Sequence, residues 1–196
     1  MARPRRSDDT RQLLVEEGAA GFLVNGYHGT GIKQVLDAVG VPKGSFYNYF
    51  DSKEAFGQAV IECHSQCIQR NLAAAFGSDA DPIAGLRVFF ERLTAEFAEN
   101  DYTGGCLIVN LGAELEGSTV LRESLSAAFR AWRDRVAEAL RAAQELGTIR
   151  ADIPATELAD LLIEAWEGAV VRMKIDRTLE PLHKCLARLL DDYFRP

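Results

Sequence analysis

The chain has 196 residues, enough to bury a sizeable core in one or two domains. It has no apolar run of about 18 residues, its opening MARPRRSDDT lacks the apolar stretch of a secretory signal, and its four cysteines contain no CxxC pair, so a cytoplasmic protein without a membrane span or a disulfide framework is expected. The net charge of −7 excludes a uniformly basic surface, but the first 53 residues hold seven Lys and Arg against six Asp and Glu, so the acidic excess lies in the remainder.

Taken in chain order, apolar periodicity predicts helix almost throughout. The first helix runs from about Ser7, an N-cap with Asp8 and Asp9 in its first turn, to about Val24, and Asn25-Gly26 ends it. In the second, Ile32, Val35, Leu36 and Val39 fall at i, i+3, i+4 and i+7, and Gly40 sits where a left-handed glycine closes a helix. Pro42 suits the start of a third, in which Phe46 and Phe50 point inward at i, i+4. Asp51 and Glu54 have capping-box spacing for a fourth helix, about Ser52 to Phe76. Gly77 to Asp81 interrupts the pattern, and Asp81-Pro82 opens a fifth helix that reaches about Glu99. After a loop from Asn100 to Gly105, the sixth covers about Cys106 to Leu115. Ser118 caps the seventh, which continues to about Leu146. The eighth covers about Ala155 to Lys174 and the ninth about Pro181 to Tyr193. No strand pattern or internal repeat stands out, and the fold class expected is all-α.

Residues 31–55, GIKQVLDAVGVPKGSFYNYFDSKEA, form helix, tight turn and a donor-rich second helix, the layout of a helix-turn-helix DNA reader. A bare glycine with small or planar polar groups at a helix start suits close approach to phosphates and base edges. The stretch VPKGSFYNYFDSKEAF resembles the signature of the TetR family of transcriptional repressors, and GYHGTGIKQVLDAVG continues it. The resemblance implies a three-helix DNA-binding domain over 1–52 and a helical ligand-binding and dimerisation domain over 53–196. It also implies that Lys33, Lys43, Gly44, Ser45, Tyr47, Asn48, Tyr49 and Lys53 contact DNA. Lys33 and Lys43 are the candidates for base edges; Tyr47, Tyr49 and Lys53 are those for phosphates. Arg3, Arg5 and Arg6 form a basic arm that either follows the DNA or remains a solvated tail.

The eighth helix, ATELADLLIEAWEGAVVRMK, is apolar over more than one stripe, so it must pack on two partners. A second copy of the chain is the expected second partner, and a two-fold dimer would present two readers to a palindromic operator in double-stranded DNA.

The second informative stretch is Thr103 to Glu116, TGGCLIVNLGAELE. Cys106 opens a helix, where backbone N–H groups stabilise a thiolate, and Asn110 and Glu114 follow at i+4 and i+8 on one stripe. This stretch and WEGAVVRMKIDRTLEPLH are similar to one branch of the TetR family, which includes AcuR-like sensors of acrylate and NemR-like sensors of reactive electrophiles. The resemblance implies a small-molecule effector sensed near Cys106, Asn110, Glu114, Trp166 and Lys174. Three roles stay open for Cys106: a reactive sensor, a wall of a non-covalent pocket for a small carboxylate such as acrylate, or an inert core residue. A cysteine-dependent enzyme would need His28, His64 or His183 beside Cys106, and nothing in the pattern places one there; no enzyme activity is expected. Cys63 and Cys67 share a helical face with His64 between them, but no third ligand accompanies them, so neither a metal nor a cofactor is expected.

Overall fold

A computed structural model describes residues 6–76, 81–114 and 117–196, the side chains of Arg6 and Ser7 excepted. The arm at Arg3 and Arg5, the Ser7 cap and the interruption at 77–80 therefore fall outside what is described. Among the described residues all regular structure is helical: α1 (Arg6–Gly29), α2 (Ile32–Val39), a 3₁₀ recognition turn (Lys43–Asn48), α3 (Lys53–Ala75), α4 (Pro82–Glu99), α5 (Leu107–Gly112), α6 (Thr119–Glu145), α7 (Ala155–Asp176) and α8 (Glu180–Leu186), which continues through wider turns over Ala187–Tyr193. No described helix is long and apolar enough to cross a membrane.

The chain divides into two compact units, Met1–Gln66 with Cys106–Phe129, and Cys67–Gly105 with Arg130–Pro196. The first thus extends beyond residue 52 and takes in α5. Its centre is an aromatic cluster: Phe56 meets Phe22 and Phe46 with ring centroids 5.8 Å apart and Phe50 at 4.9 Å. Leu14, Val15, Val35, Leu36 and Val60 complete the core, and α5 packs on α1 through this unit. Each fully buried Phe contributes about 1.5–3 kcal/mol from area removed from water. In the second unit, Phe90 and Trp166 stack at 4.7 Å within a core that includes Phe89, Trp132, Leu162 and Phe194.

Several helix ends follow the residues expected. Asp81 accepts from the Ile83 N–H at 3.0 Å, with Pro82 in the first turn of α4. Ser118 accepts from the Leu121 N–H at 3.1 Å at the start of α6. Gly40 (φ 73°) closes α2, and the Val41 N–H returns to the Leu36 carbonyl at 2.9 Å. Gly26 (φ 72°, ψ 176°) breaks α1 at the Asn25-Gly26 position expected to end it, although one more turn follows to Gly29.

Three expectations are corrected. The recognition segment is a tight 3₁₀ turn rather than an α-helix; Pro42 supplies no N–H, and Ser45 bonds the Pro42 carbonyl at 2.9 Å. The cap of α3 is Ser52, whose hydroxyl accepts from the Ala55 N–H at 2.9 Å, rather than an Asp51–Glu54 box; Glu54 accepts instead from the Ser118 hydroxyl. The sixth helix is shorter than expected: Cys106 precedes it in an extended conformation (φ −78°, ψ 120°) and it ends at Gly112, so Cys106 and Glu114 lie off its two ends rather than on one helical stripe with Asn110.

Candidate DNA reader and sensing segment

The reader is built on the buried pair Phe46 and Phe50, whose rings lie 5.5 Å apart and anchor the 3₁₀ turn from within. That leaves the polar groups of the same turn outward. Lys43, Gly44, Tyr47 and Asn48 are exposed, Tyr47 by 71%, while Ser45 and Tyr49 are half-buried. Gly44 is informative. No atom lies within 4 Å of where a Cβ would stand, and its φ is not left-handed, so the fold places no demand for glycine there. The open space in front of Gly44 is what close approach of a phosphate backbone would require.

Lys33 on α2 is exposed and 3.7 Å from Asp37; an exposed pair of this kind contributes about 0–1 kcal/mol, so breaking it costs little. Lys53 is half-buried, its ammonium 4.7 Å from the centre of the Tyr27 ring, and burial lowers its pKa. The eight expected DNA-contacting residues therefore all fall on α2, the 3₁₀ turn and its C-cap Tyr49, or the first turn of α3, within one compact unit.

The sensing residues are distributed differently. Cys106, Asn110 and Glu114 belong to the first unit; Trp166 and Lys174 belong to the second. Cys106 is half-buried in the N-cap position of α5, its carbonyl accepting the Asn110 N–H at 2.9 Å, and its side chain makes no cap bond to the helix. Asn110 is half-buried on α5. Glu114 accepts from the Tyr27 N–H at 3.0 Å. Trp166 is a core residue, 1% exposed against Phe90. Lys174 is half-buried, and its charge acts on Glu167, a buried carboxyl on α7 pushed up to about 7, chiefly by desolvation and against the pull of Lys174. Arg172 forms an ion pair with Asp176 at 2.7 Å.

The other thiols have ordinary surroundings. Cys63 accepts from the Gln12 amide at 3.7 Å, Cys67 from the Asn71 amide at 3.8 Å, and burial pushes the Cys185 thiol up to about 11. Among the described residues no three His, Cys, Asp or Glu side chains gather as a metal site. Burial holds His64 near 4, so it is neutral at physiological pH.

Sequence reasoning passed over Tyr27. The spacing NGYHGTG marks Tyr27 only as following a turn, and its role arises from a partner 87 residues away. From the sequence, Glu167 and Arg172 suit either part of a polar pocket or an ordinary surface pair; Glu167 is buried, while the exposed Arg172 pairs with Asp176 instead.

An all-helical chain whose first unit presents a helix-turn-helix with an outward basic and aromatic turn is a DNA-binding regulator. The family described as "Bacterial regulatory proteins, tetR family" matches residues 14–60, and "Tetracyclin repressor-like, C-terminal domain" matches residues 82–189. The transcriptional repressor DhaR of Mycobacterium sp. (strain GP1) is 40% identical over 178 residues, covering 90% of this chain and 88% of its own. The transcriptional regulator AcuR of Cereibacter sphaeroides is 37% identical over 187 residues, 92% of this chain and 85% of its own. The repressor NemR of Escherichia coli is 31% identical over 183 residues, 92% of each chain, and the crystal structure of its reduced form superposes with a TM-score of 0.85 over 93% of this chain and 97% of that one. The chain belongs to the TetR family. It is a DNA-binding transcriptional repressor, and these relatives are transcriptional regulators rather than enzymes.

Proposed function

We propose that this repressor binds a palindromic operator as a homodimer in the cytoplasm and is released by a small electrophile that modifies Cys106. In this reading residues 1–52 are the DNA-binding domain and 53–196 the ligand-binding and dimerisation domain. Lys33, Lys43, Gly44, Ser45, Tyr47, Asn48, Tyr49 and Lys53 contact DNA. The observation that carries the release step is the placing of Cys106, half-buried immediately before a six-residue helix, in the compact unit that contains the reader. An adduct there alters the start of α5 within a unit whose other residues contact DNA. With an activated alkene, the thiolate sulfur bonds to the β-carbon, the C=C π bond breaks, and the α-carbon takes a proton from water.

Dimerisation is supported by α7. Leu161, Gly168, Val171 and Ile175 share an exposed face, with Ile175 72% exposed, opposite the face that buries Leu162, Trp166 and Met173. No atom occupies the space beyond Gly168, which leaves the backbone open to a neighbouring helix. A dimer spaces two recognition turns by about 34–36 Å, one turn of DNA, and release follows when that spacing changes.

A second reading, non-covalent binding of a small carboxylate such as acrylate, draws on the half-buried Lys174, whose charge acts on Glu167, with Trp166 as a further candidate. Gel-shift titration of an operator fragment with N-ethylmaleimide, hydrogen peroxide and acrylate, on wild type and Cys106→Ser, separates the two. Release of wild type and retention of Cys106→Ser is expected with the first two reagents. Equal release of both proteins would overturn covalent sensing, and release of both by acrylate alone would establish the second reading.

A further inference from the structure

The Glu114 carboxylate belongs to a second set of contacts, on the bend of α1. It accepts the Tyr27 N–H at 3.0 Å, immediately after the break at Gly26. The Gly26 carbonyl on the same bend accepts both the Thr30 hydroxyl at 2.8 Å and the Thr30 N–H at 3.2 Å. Gly26 is required twice over: its φ of 72° disfavours a side chain, and a Cβ there would stand 2.1 Å from Glu114 Oε1. The bend fixes the Tyr27 ring, which lies edge-on to Phe22 at 5.4 Å and against Gly57 of α3, where a Cβ would come within 3.0 Å of it. Over that ring sits the Lys53 ammonium at 4.7 Å.

We propose that Glu114 is a positioning residue of the DNA reader, its carboxylate fixing the Gly26–Tyr27 bend and through the Tyr27 ring the reach of Lys53 to a phosphate. The turn after α5 is thereby a direct determinant of operator affinity, whatever the effector. The inference rests on the reading that Lys53 contacts DNA. The Lys53 side chain lies over the Tyr27 ring, and a long flexible side chain with a stacked, partly desolvated stem gives up less entropy on meeting a phosphate than one ranging through solvent. Without Glu114, the Tyr27 N–H loses its carboxylate acceptor, and the bend keeps the two Thr30 bonds to the Gly26 carbonyl.

The test compares Glu114→Ala, Glu114→Gln and wild type for operator binding across a salt series, with amide exchange at Tyr27. Glutamine keeps an acceptor oxygen; alanine does not. Alanine should bind about tenfold more weakly, exchange the Tyr27 amide faster, and show a salt slope flatter by about 0.9, the share of a single phosphate that Lys53 no longer neutralises. Glutamine should stay within about threefold of wild type on affinity and match its slope. Wild-type affinity and slope in the alanine variant, or an equal defect in both variants, would overturn the proposal. The outcomes separate it from covalent sensing: a Glu114→Ala defect with Cys106→Ser responding as wild type leaves the positioning role standing and removes the sensor, and the reverse pattern does the opposite.

Discussion

Glu167→Gln isolates the effect of a buried carboxyl on stability. Glu167 is 9% exposed on α7, and burial moves its pKa from 4.5 to about 7 even though Lys174 draws it down. That displacement corresponds to about 3 kcal/mol. The folded-state value is raised, so the protonated carboxyl costs nothing below pH 4.5, where folded and unfolded chains both hold the proton. As pH rises from 4.5 to about 7 the unfolded chain ionises first and stability falls; above about 7 the loss levels off. Glutamine removes this titration. The variant should match wild type at pH 4 and exceed it by about 3 kcal/mol at pH 8, which for a chain of this length is about 6–12 °C in Tm. Urea unfolding at fixed protein concentration, repeated from pH 4 to 8.5, measures the difference. His64, held near 4, depresses the acid side of both curves as pH falls from 6.5 to 4, and comparison at each pH cancels it. A difference independent of pH, or none at pH 8, would refute the reasoning and show Glu167 to be ionised and compensated in the folded protein.

Two further outcomes test the reader. Gly44→Ala should leave Tm unchanged or slightly raised, because the added methyl meets no atom, yet weaken operator binding at least about tenfold by standing between backbone and DNA; unchanged affinity in a gel shift would remove Gly44 from the interface. Phe56→Ala should cost about 3–5 kcal/mol through the cavity left among Phe22, Phe46 and Phe50, and abolish operator binding at temperatures where wild type is folded; a urea midpoint within about 0.2 M of wild type, an order-of-magnitude limit of about 0.5 kcal/mol, would contradict the packing described.

Much of the fold and the reader is legible in the sequence because the signals are local. The apolar face of α2, the closing role of Gly40 and the Asp81-Pro82 start of α4 depend on neighbours a few residues apart, and so does the outward set of polar groups between the Phe46 and Phe50 anchors. What is not legible depends on partners distant in sequence or on backbone states that side chains do not advertise. Ser52 rather than Asp51 caps α3, and Glu54 accepts instead from Ser118, 64 residues on. Spacing puts Glu114 on a helical stripe, but α5 stops at Gly112 and the carboxylate reaches Tyr27 instead. In the second unit, Asp101 (φ 53°) and Tyr102 (φ 59°) are both left-handed without being glycine; Arg177 pairs with Asp101 at 2.6 Å and lies over the Tyr102 ring, a brace no local pattern announces.

If Cys106 is the sensor proposed above, the lengths of the helices explain why its signal would act through α5. A six-residue helix has too few internal bonds to repay nucleation, so α5 persists only because Leu107, Ile108 and Leu111 are buried. Its state is thus decided by packing at its base and by what stands at its N-cap, the position Cys106 occupies. A bulky adduct there acts on the least self-sufficient helix of the unit, whereas the 27 residues of α6 would absorb the same disturbance within their own hydrogen bonds. The next polar side chain beyond α5 is Glu114, already bonded to the bend beneath Tyr27. A rotation or loosening of α5 by about one hydrogen-bond length is enough to carry that oxygen out of range of the Tyr27 N–H. On the proposed reading, one short helix and one carboxylate would link Cys106 to the reader, without a large rearrangement of the aromatic core.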